Sequence, residues 1–413
     1  MTQPTEDELV SELDAWIDAH WVPNASLRQW RDRLADAGWA APSWPQRWGG
    51  RELPTWADDL VASRLTERGT VSTPLGGGMS LAAPTILAHG PDPVRERFLR
   101  PILTGEETWC QLFSEPGAGS DLAGLSTTAV RDGDEWIVNG QKVWNTSAHH
   151  ADFGMLVART DWDAPKHRGL TYFALPMHQP GVQVRPLRQM NFHQSFNEVF
   201  LTDARIPAEF VIGGIGEGWA VAATTLAYER RYGAMGRPRY AETAGRVLDE
   251  ARHEADEHFA TYRWYPQRAG RADLLRERAE ATGTNQNASV RQQIAEVSSM
   301  QSVSRWTAER ARAARLLGRP PGAEGSIGKL ATSNVARGSL RAHTSISGAH
   351  AMLAGSEPDM HPAVAEVLIS VPAQSIAGGT DEIQKNILGE RILGLPREPA
   401  VDKDVPFKLT RRN

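Results

Sequence analysis

The feature that most constrains the fold of this 413-residue chain is a change in its hydrophobic periodicity. Apolar residues recur at helical spacing before Glu107, in short alternating runs typical of strands from there to about Gly213, and again at helical spacing beyond Gly214. This order predicts an α+β fold with an N-terminal α-helical domain (residues 1–108), a small middle β-barrel or sandwich domain (109–213) and a C-terminal helical bundle (214–413).

Local capping and turn signals refine this outline. Thr5 with Glu8 predicts a capping box at the start of the first helix. Asp132-Gly133-Asp134 and Asn139-Gly140 are turn signals on either side of a short strand at Trp136–Val138, and Asn-Gly favours a two-residue hairpin turn. Beyond the middle domain, the pattern predicts a helix from Trp219 to about Ala234, a long polar segment at 252–287, and helices at 290–317, 326–340 and 382–393.

Charge and cysteine content exclude several classes of protein. A formal net charge of -5 gives no electrostatic basis for binding nucleic acid or an anionic membrane surface. No apolar run approaches the ~20 residues of a membrane span, and the acidic N-terminus lacks an export-signal pattern. Cys110 alone cannot form an intramolecular disulfide and disfavours a cysteine metal site. We therefore expect a cytoplasmic protein that binds no metal, nucleic acid or membrane.

The most informative string is WCQLFSEPGAGSD, from Trp109 to Asp121. It begins as a short strand-like run, which Glu115-Pro116 ends because the residue before proline is disfavoured in the helical region. The glycine-rich loop that follows can turn backbone N–H groups towards an anion or an electron-rich ring edge. An ordinary strand–turn explains a bare Gly-Ala-Gly-Ser better, but the full string is far more specific.

The full string resembles the flavin-contacting signature of the acyl-CoA dehydrogenase family. Further strings resemble the family's motifs in the family's order: APSWPQRWGG, VNGQKVWNTSA, GGIGEGW and AGGTDEIQKNILGERILGLPRE. The resemblance implies the family fold with a C-terminal four-helix bundle. It also implies FAD, an acyl-CoA substrate dehydrogenated between its α and β carbons in fatty acid or sterol catabolism, an electron-transfer flavoprotein as acceptor, and a dimer-of-dimers tetramer.

The same resemblance assigns cofactor residues by position. It places Gln111, Phe113 and Ser114 along the flavin edge, and Gly119 with Ser120 near the phosphate, Ser120 also near the substrate. The remaining cofactor positions are Trp144 and Thr146 on the opposite flavin face, and Gly379, Thr380 and Glu382 in the C-terminal signature. Plain alternatives stay open, since Trp144 can be a cross-strand packing aromatic and Thr380 a simple helix N-cap.

The general base departs from the commonest family pattern. Many members carry the catalytic glutamate where this chain has Gly378, which cannot accept a proton. Some members instead carry it directly before an arginine, on the helix that contains Glu229 and Arg230 here. Spacings of three and four put Glu229 on one helix face, and the small and apolar members of that face predict that it points inward. The face consists of Trp219, Ala222, Leu226, Glu229 and Gly233. Glu229 is therefore the candidate base, and Arg230 and Gly378 are candidate substrate contacts; the alternative is a solvated Glu–Arg pair.

Two further departures concern the adenine half of the FAD site. The family's Arg-x-x-Phe-Gly string is not found, and its Gln-x-x-Gly-Gly string is degraded to Ser345–Ala349. In some steroid-degrading relatives the site is split between unlike subunits. Two rival functions follow: a partner subunit with little activity of its own, and a flavin oxidase on the same fold, against which Gly378 argues because that chemistry uses an aspartate base in this signature.

Overall fold

A computed structural model describes residues 4–232, 237–316, 324–355, 361–399 and 402–410. Contacts divide them into two compact units. The first contains the described residues up to Leu187, those from Gln194 to Thr261, and the segment 402–410, whereas the second contains Arg188–His193 and the described residues from Tyr262 to 399. The N-terminal helices and the sheet share one unit, and the two predicted domain boundaries, near residues 108 and 214, stay predictions.

The first unit opens with helices that begin at local capping signals. Thr5 Oγ1 accepts from Glu8 N, and the Glu8 carboxylate accepts from Thr5 N, so the predicted capping box is confirmed. Ser26 and Gln29 form a second box. The helices before the sheet are α1 Glu6–His20, α2 Leu27–Asp36, α3 Trp56–Glu67, α4 Ala83–His89 and α5 Asp92–Thr104.

The middle of the chain forms one curled sheet. Its strands are β1 Trp109–Leu112, β2 Thr128–Asp132, β3 Glu135–Thr146, β4 Phe153–Arg159, β5 Leu170–Pro176, β6 Val182–Leu187 and β7 Phe196–Pro207. They are ordered β1-β4-β2-β3-β7-β6, with β5 on β4. The segment after β1 crosses to β3, where Val143 N donates to Ser114 O at 2.9 Å.

Strand β4 is buried on both faces. Met155 and Val157 pack in the hydrophobic cluster shared with the helices, whereas Leu156 and Ala158 pack in a second cluster on the opposite face. Successive side chains of a strand point to opposite faces, so a strand covered on both sides must be apolar throughout. The sheet therefore has a helical layer on one face and its own curled interior on the other.

The predicted hairpin turn at Asn139-Gly140 is wrong. Strand β3 runs through both residues. The two-residue turn lies between Asp132 and Glu135, so the turn signal at Asp132-Gly133-Asp134 is confirmed. The Asn139 side chain instead exchanges two hydrogen bonds with Asp203 of β7, at 2.9 and 3.0 Å. Long-range pairing with β7 has overridden the local turn preference of Asn-Gly.

Helices return after the sheet. In the first unit these are α6 Gly218–Tyr232 and α7 Arg246–Ala260; in the second they are α8 Tyr265–Arg268, α9 Leu275–Ala281, α10 Ala288–Leu316, α11 Glu324–Ser347, α12 Pro362–Gln374 and α13 Asp381–Arg391. The pattern does not predict α12, whose nearly uniform apolar sequence hides the helical period. The predicted end of α6 near Ala234 lies outside the described residues. The helix–sheet–helix order confirms the α+β fold class.

Within the described ranges, none of the helices combines the length and apolar character that crossing a bilayer requires.

Candidate active site

A buried ion pair holds the turn that follows β1. Lys142 is fully buried, and its Nζ lies 2.9 Å from Glu115 Oε1 and donates to Phe113 O at 3.0 Å. The Glu115 carboxylate also accepts from the backbone N–H groups of Ser126 and Thr127, at 2.6 and 2.9 Å. Burial alone raises the pKa of Glu115, but Lys142 and these hydrogen bonds outweigh it, so the pKa lies below its ordinary value.

The loop after this turn presents backbone donors. Glu115 and Ala118 exchange backbone hydrogen bonds of 3.0 and 3.1 Å, which close the turn. Among the described residues, Gly117, Gly119 and Ser120 donate no backbone hydrogen bond to the protein. A Cβ added at Gly119 would meet nothing within 4 Å, and Ser120 is exposed. A turn with outward-facing N–H groups can bind phosphate or another acceptor.

A bulge in β3 turns Trp144 out of the strand ladder. The register with β7 shifts between Lys142 and Asn145, and Trp144 has a left-handed φ of 64°. Its side chain is 56% exposed and touches Phe196 edge-on at 5.8 Å between ring centroids. Cross-strand packing alone therefore leaves half of this indole uncovered. Thr146 follows, half-buried and opposite Phe196 in the ladder.

Helix α6 is packed tightly on the sheet. A Cβ at Gly218 would lie 2.6 Å from the backbone carbon of Thr171 in β5, so only glycine allows this approach. Further along the helix, Thr225 is fully buried, and its Oγ1 bonds the Tyr172 hydroxyl of β5 at 3.1 Å and Thr85 Oγ1 of α4 at 3.0 Å. These contacts fix the helix on the sheet, and its C-terminal half with it.

Glu229 lies in the last turns of α6 and is half-buried. Ala222 is fully buried, and Trp219 and Leu226 pack against the same core, so this helix face points inward as the spacing predicts. The Glu229 Oε2 atom accepts a hydrogen bond from Gln111 Nε2 of β1 at 3.3 Å. The candidate base thus faces the strand that leads into the glycine-rich loop.

Phe113 and Ser114, the other two residues predicted at the flavin edge, follow β1, and their flavin contacts stay predictions. Phe113 is buried, with its ring edge-on to Tyr172 at 5.8 Å, so only its backbone can face a ligand. Ser114 is half-buried at the crossing of β1 and β3. The side chain of Arg230 and all of Gly233 lie outside the described residues.

The C-terminal signature belongs to the second unit and forms a tight loop before α13. Gly378 and Gly379 have left-handed φ values of 68° and 85°. Gln384 is buried, and its side-chain amide donates to Gly378 O at 3.0 Å. Thr380 Oγ1 accepts from Ile383 N at 3.2 Å, so Thr380 is the N-cap of α13. Glu382 is exposed in the first turn, and flavin contacts by Gly379, Thr380 and Glu382 stay predictions.

Residues of the first unit fit a flavin cofactor. The donor loop at Gly119 is open to a ligand, since an added Cβ would meet nothing within 4 Å. The half-exposed indole of Trp144 offers a face on which a planar ring can stack. Free backbone donors and an exposed aromatic in the same unit suit a ligand that combines phosphate with an aromatic ring system.

Several supporting residues escape sequence reasoning. Lys142, Asn145 and Asn197 are buried polar residues of the sheet. Asn145 Nδ2 donates to Gln111 O at 2.7 Å, and Asn197 Nδ2 donates to Asn145 O at 2.9 Å. The only available signal is the spacing of Lys142, which shares its strand face with the buried Trp136 and Val138. A lysine at an inward strand position needs a buried partner.

Known proteins resemble the chain along most of its length. Family models for the acyl-CoA dehydrogenase N-terminal, middle and C-terminal domains match residues 2–106, 110–204 and 267–393. The acyl-CoA dehydrogenase IpdE1 of Mycobacterium tuberculosis is 36% identical over 90% of this chain and 88% of its own. FadE34 of the same organism is 37% identical over 88% of this chain and 46% of its own. The crystal structure of the ChsE4–ChsE5 complex from Mycobacterium tuberculosis has the same fold, with a TM-score of 0.60 at 24% identity over 96% of this chain and 99% of that one.

Proposed function

Because the chain belongs to the acyl-CoA dehydrogenase family, whose members are oxidoreductases acting on CH–CH groups, we propose that it binds FAD and dehydrogenates an acyl-CoA thioester with Glu229 as the general base. The observation that supports this most is the inward carboxylate of Glu229, hydrogen-bonded to the strand that leads into the donor loop. Gly378 offers no ionisable group at the commoner base position. Glu229 is the carboxylate that the chain supplies instead.

The candidate site residues of the first unit each take a definite role in this reaction. Glu229 takes the proton from the α-carbon, which becomes acidic next to a thioester carbonyl. The N–H groups of Gly119 and Ser120 hold phosphate, and Trp144 with Thr146 covers one face of the cofactor and excludes water. FAD, when bound, supplies the acceptor for the β-hydride. We propose an electron-transfer flavoprotein as the next acceptor, and the family resemblance supports that choice.

A partner subunit completing the FAD site is the second candidate. The observation that favours it is the missing Arg-x-x-Phe-Gly string together with Ser345–Ala349 in place of Gln-x-x-Gly-Gly. Such a partner would hold the adenine end, while this chain retains Ser114, Trp144 and Glu229. Flavin per chain, measured alone and after co-expression with a second dehydrogenase-like chain, decides the point. One FAD per chain in a homo-oligomer would contradict the unlike partner.

The function is tested by anaerobic bleaching of bound flavin. Purified chain, alone or with the unlike partner, is mixed with butyryl-CoA, isobutyryl-CoA or octanoyl-CoA. We expect a flavin spectrum and its loss with at least one thioester, because removal of two hydrogens reduces the cofactor. Bound flavin that none of these thioesters reduces, while an aerobic assay releases hydrogen peroxide from nitroalkanes, would favour the oxidase alternative.

The role of Glu229 is tested by Glu229→Gln, which keeps volume and hydrogen bonding but cannot take a proton. We expect flavin reduction to slow by about 10²–10⁴, the usual contribution of a positioned base, with flavin content unchanged. Glu217→Gln, at the exposed residue just before the same helix, is the matched control and should reduce its flavin at the parent rate. Equal rates for Glu229→Gln and the parent would assign the proton transfer to another residue.

A further inference from the structure

Gln111 is a polar residue within an apolar strand face. Its neighbours on that face, Trp109 and Phe113, belong to the core cluster shared with the helices, whereas Cys110 and Leu112 face the sheet interior. A carboxamide at such a position needs hydrogen-bond partners, because burying an unpaired amide is costly. The structure gives Gln111 Nε2 one such partner, the carboxylate of Glu229 at 3.3 Å.

The backbone of Gln111 is held by a separate set of contacts. Asn145, which is 2% exposed, donates from Nδ2 to Gln111 O at 2.7 Å. Asn197, which is 1% exposed, donates to Asn145 O at 2.9 Å from the paired position on β7. These two buried amides tie β1, β3 and β7 together directly beneath Gln111. These bonds therefore hold the backbone of Gln111 in place, and its side-chain amide extends from that backbone to Glu229 on α6.

We infer that Gln111 is a positioning residue for Glu229: its amide holds the carboxylate in the orientation that meets the α-carbon of the substrate. The inference rests on the proposed function, since it acts only through Glu229. A carboxylate is purely an acceptor, so an N–H donor held at a fixed point fixes the orientation of its oxygens. The contact joins residues 118 positions apart, so folding itself assembles the base with its donor. This side-chain role is separate from the flavin-edge contact predicted for Gln111, which its backbone can still make.

The test is a double-mutant cycle on flavin reduction with whichever of the three thioesters bleaches the parent fastest. Gln111→Met keeps the length of the side chain and removes the donor. We expect flavin content, melting temperature and thioester affinity near those of the parent, with flavin reduction slower by about tenfold, because the base is no longer held in its productive orientation. In the Glu229→Gln background the same change should alter the rate by less than about twofold, because the partner that it serves is already lost.

A matched control separates this role from sheet stability. Gln141→Met removes another glutamine–glutamate hydrogen bond of the same sheet, from Gln141 Nε2 to Glu198 Oε1 at 3.1 Å, and should leave flavin reduction at the parent rate. If Gln111→Met loses its flavin, the isosteric Gln111→Glu replaces it in the cycle; it should slow reduction at least as much in the parent and have no further effect in Glu229→Gln.

Three outcomes would overturn the inference. Flavin reduction at the parent rate in Gln111→Met would remove the role outright. An equal loss from the Gln111 change in the parent and in Glu229→Gln would show that Gln111 acts on something other than Glu229. A parent-like rate in Glu229→Gln alone would contradict the proposed function first, and the inference would fall with it.

Discussion

At the scale of single residues, Glu115 and Lys142 form the most deeply buried ion pair among the described residues of the first unit. Lys142→Met leaves the Glu115 carboxylate buried without its cation, and we expect the free energy of unfolding to fall by about 3–5 kcal/mol. The double variant Glu115→Gln/Lys142→Met removes both charges, and it should recover most of that loss. Denaturant unfolding of the three proteins measures it. A single variant as stable as the parent would contradict the account.

The same pair predicts how stability depends on pH. The pKa of Glu115 lies below its ordinary value in the folded chain because Lys142 and hydrogen bonds outweigh burial. The carboxylate therefore contributes stability above about pH 4.3, the ordinary value for glutamate. That contribution is lost as pH falls through the lower folded-state pKa. Unfolding curves between neutral and acid pH should show a smaller acid loss in the double variant than in the parent; equal losses would rule out this assignment.

At the scale of elements, the packing of α6 against β5 sets the position of Glu229. Gly218→Ala places a methyl group 2.6 Å from the Thr171 backbone, so the helix must move away from the sheet. We expect a cost of about 1–3 kcal/mol, typical of overpacking, together with slower flavin reduction because Glu229 moves with the helix. Gly328→Ala in α11, where an added Cβ meets nothing within 4 Å, is the control and should stabilise slightly. Parent-like stability and rate in Gly218→Ala would contradict the claim that this close packing of α6 on β5 positions Glu229.

Sequence patterns predict a cap or a turn correctly where neighbouring residues alone determine it. The capping box at Thr5 depends on residues three positions apart, and the structure confirms it. The turn at Asn139-Gly140 fails because β7 uses Asn139 as a cross-strand partner. The inward face of α6 follows from its spacing, but the Gln111 contact 118 positions away does not, because no local pattern encodes it. The family signatures therefore locate the candidate site, while the fold supplies its internal hydrogen bonds.

At the scale of the whole molecule, the segment 402–410 packs back onto the first unit. Phe407 is 3% exposed under the Arg159 guanidinium, which lies 3.4 Å from its ring centroid. Backbone hydrogen bonds from Phe407 N to Ala164 O and from Lys408 N to Trp162 O align the segment, at 3.0 and 3.1 Å. Phe407 and Lys408 thus pack against residues that lie more than 240 positions earlier, about Trp162 and Ala164. A contact over that separation in sequence is not predicted by any local pattern.

This packing makes Phe407 a stability determinant. Phe407→Ala should lower the free energy of unfolding by about 3 kcal/mol, since it removes a buried ring and uncovers Arg159. Leu409→Ala, at a side chain that is 69% exposed, should change it by less than about 0.5 kcal/mol. Denaturant unfolding of both variants tests the contrast, and equal effects would show that the segment does not stabilise the unit.

The central claim is that Glu229 removes the α-proton, and hydrogen exchange tests that step without any hydride transfer. A thioether analogue of the acyl-CoA, with sulfur in place of the β-carbon, has no β-hydride to give, so only its α-hydrogens can exchange. The flavin-loaded protein is incubated with this analogue in D₂O, and deuterium at the α-carbon is followed by mass spectrometry. We predict exchange in the parent and a loss of at least about 10² in Glu229→Gln. Exchange at the same rate in both proteins would contradict the claim.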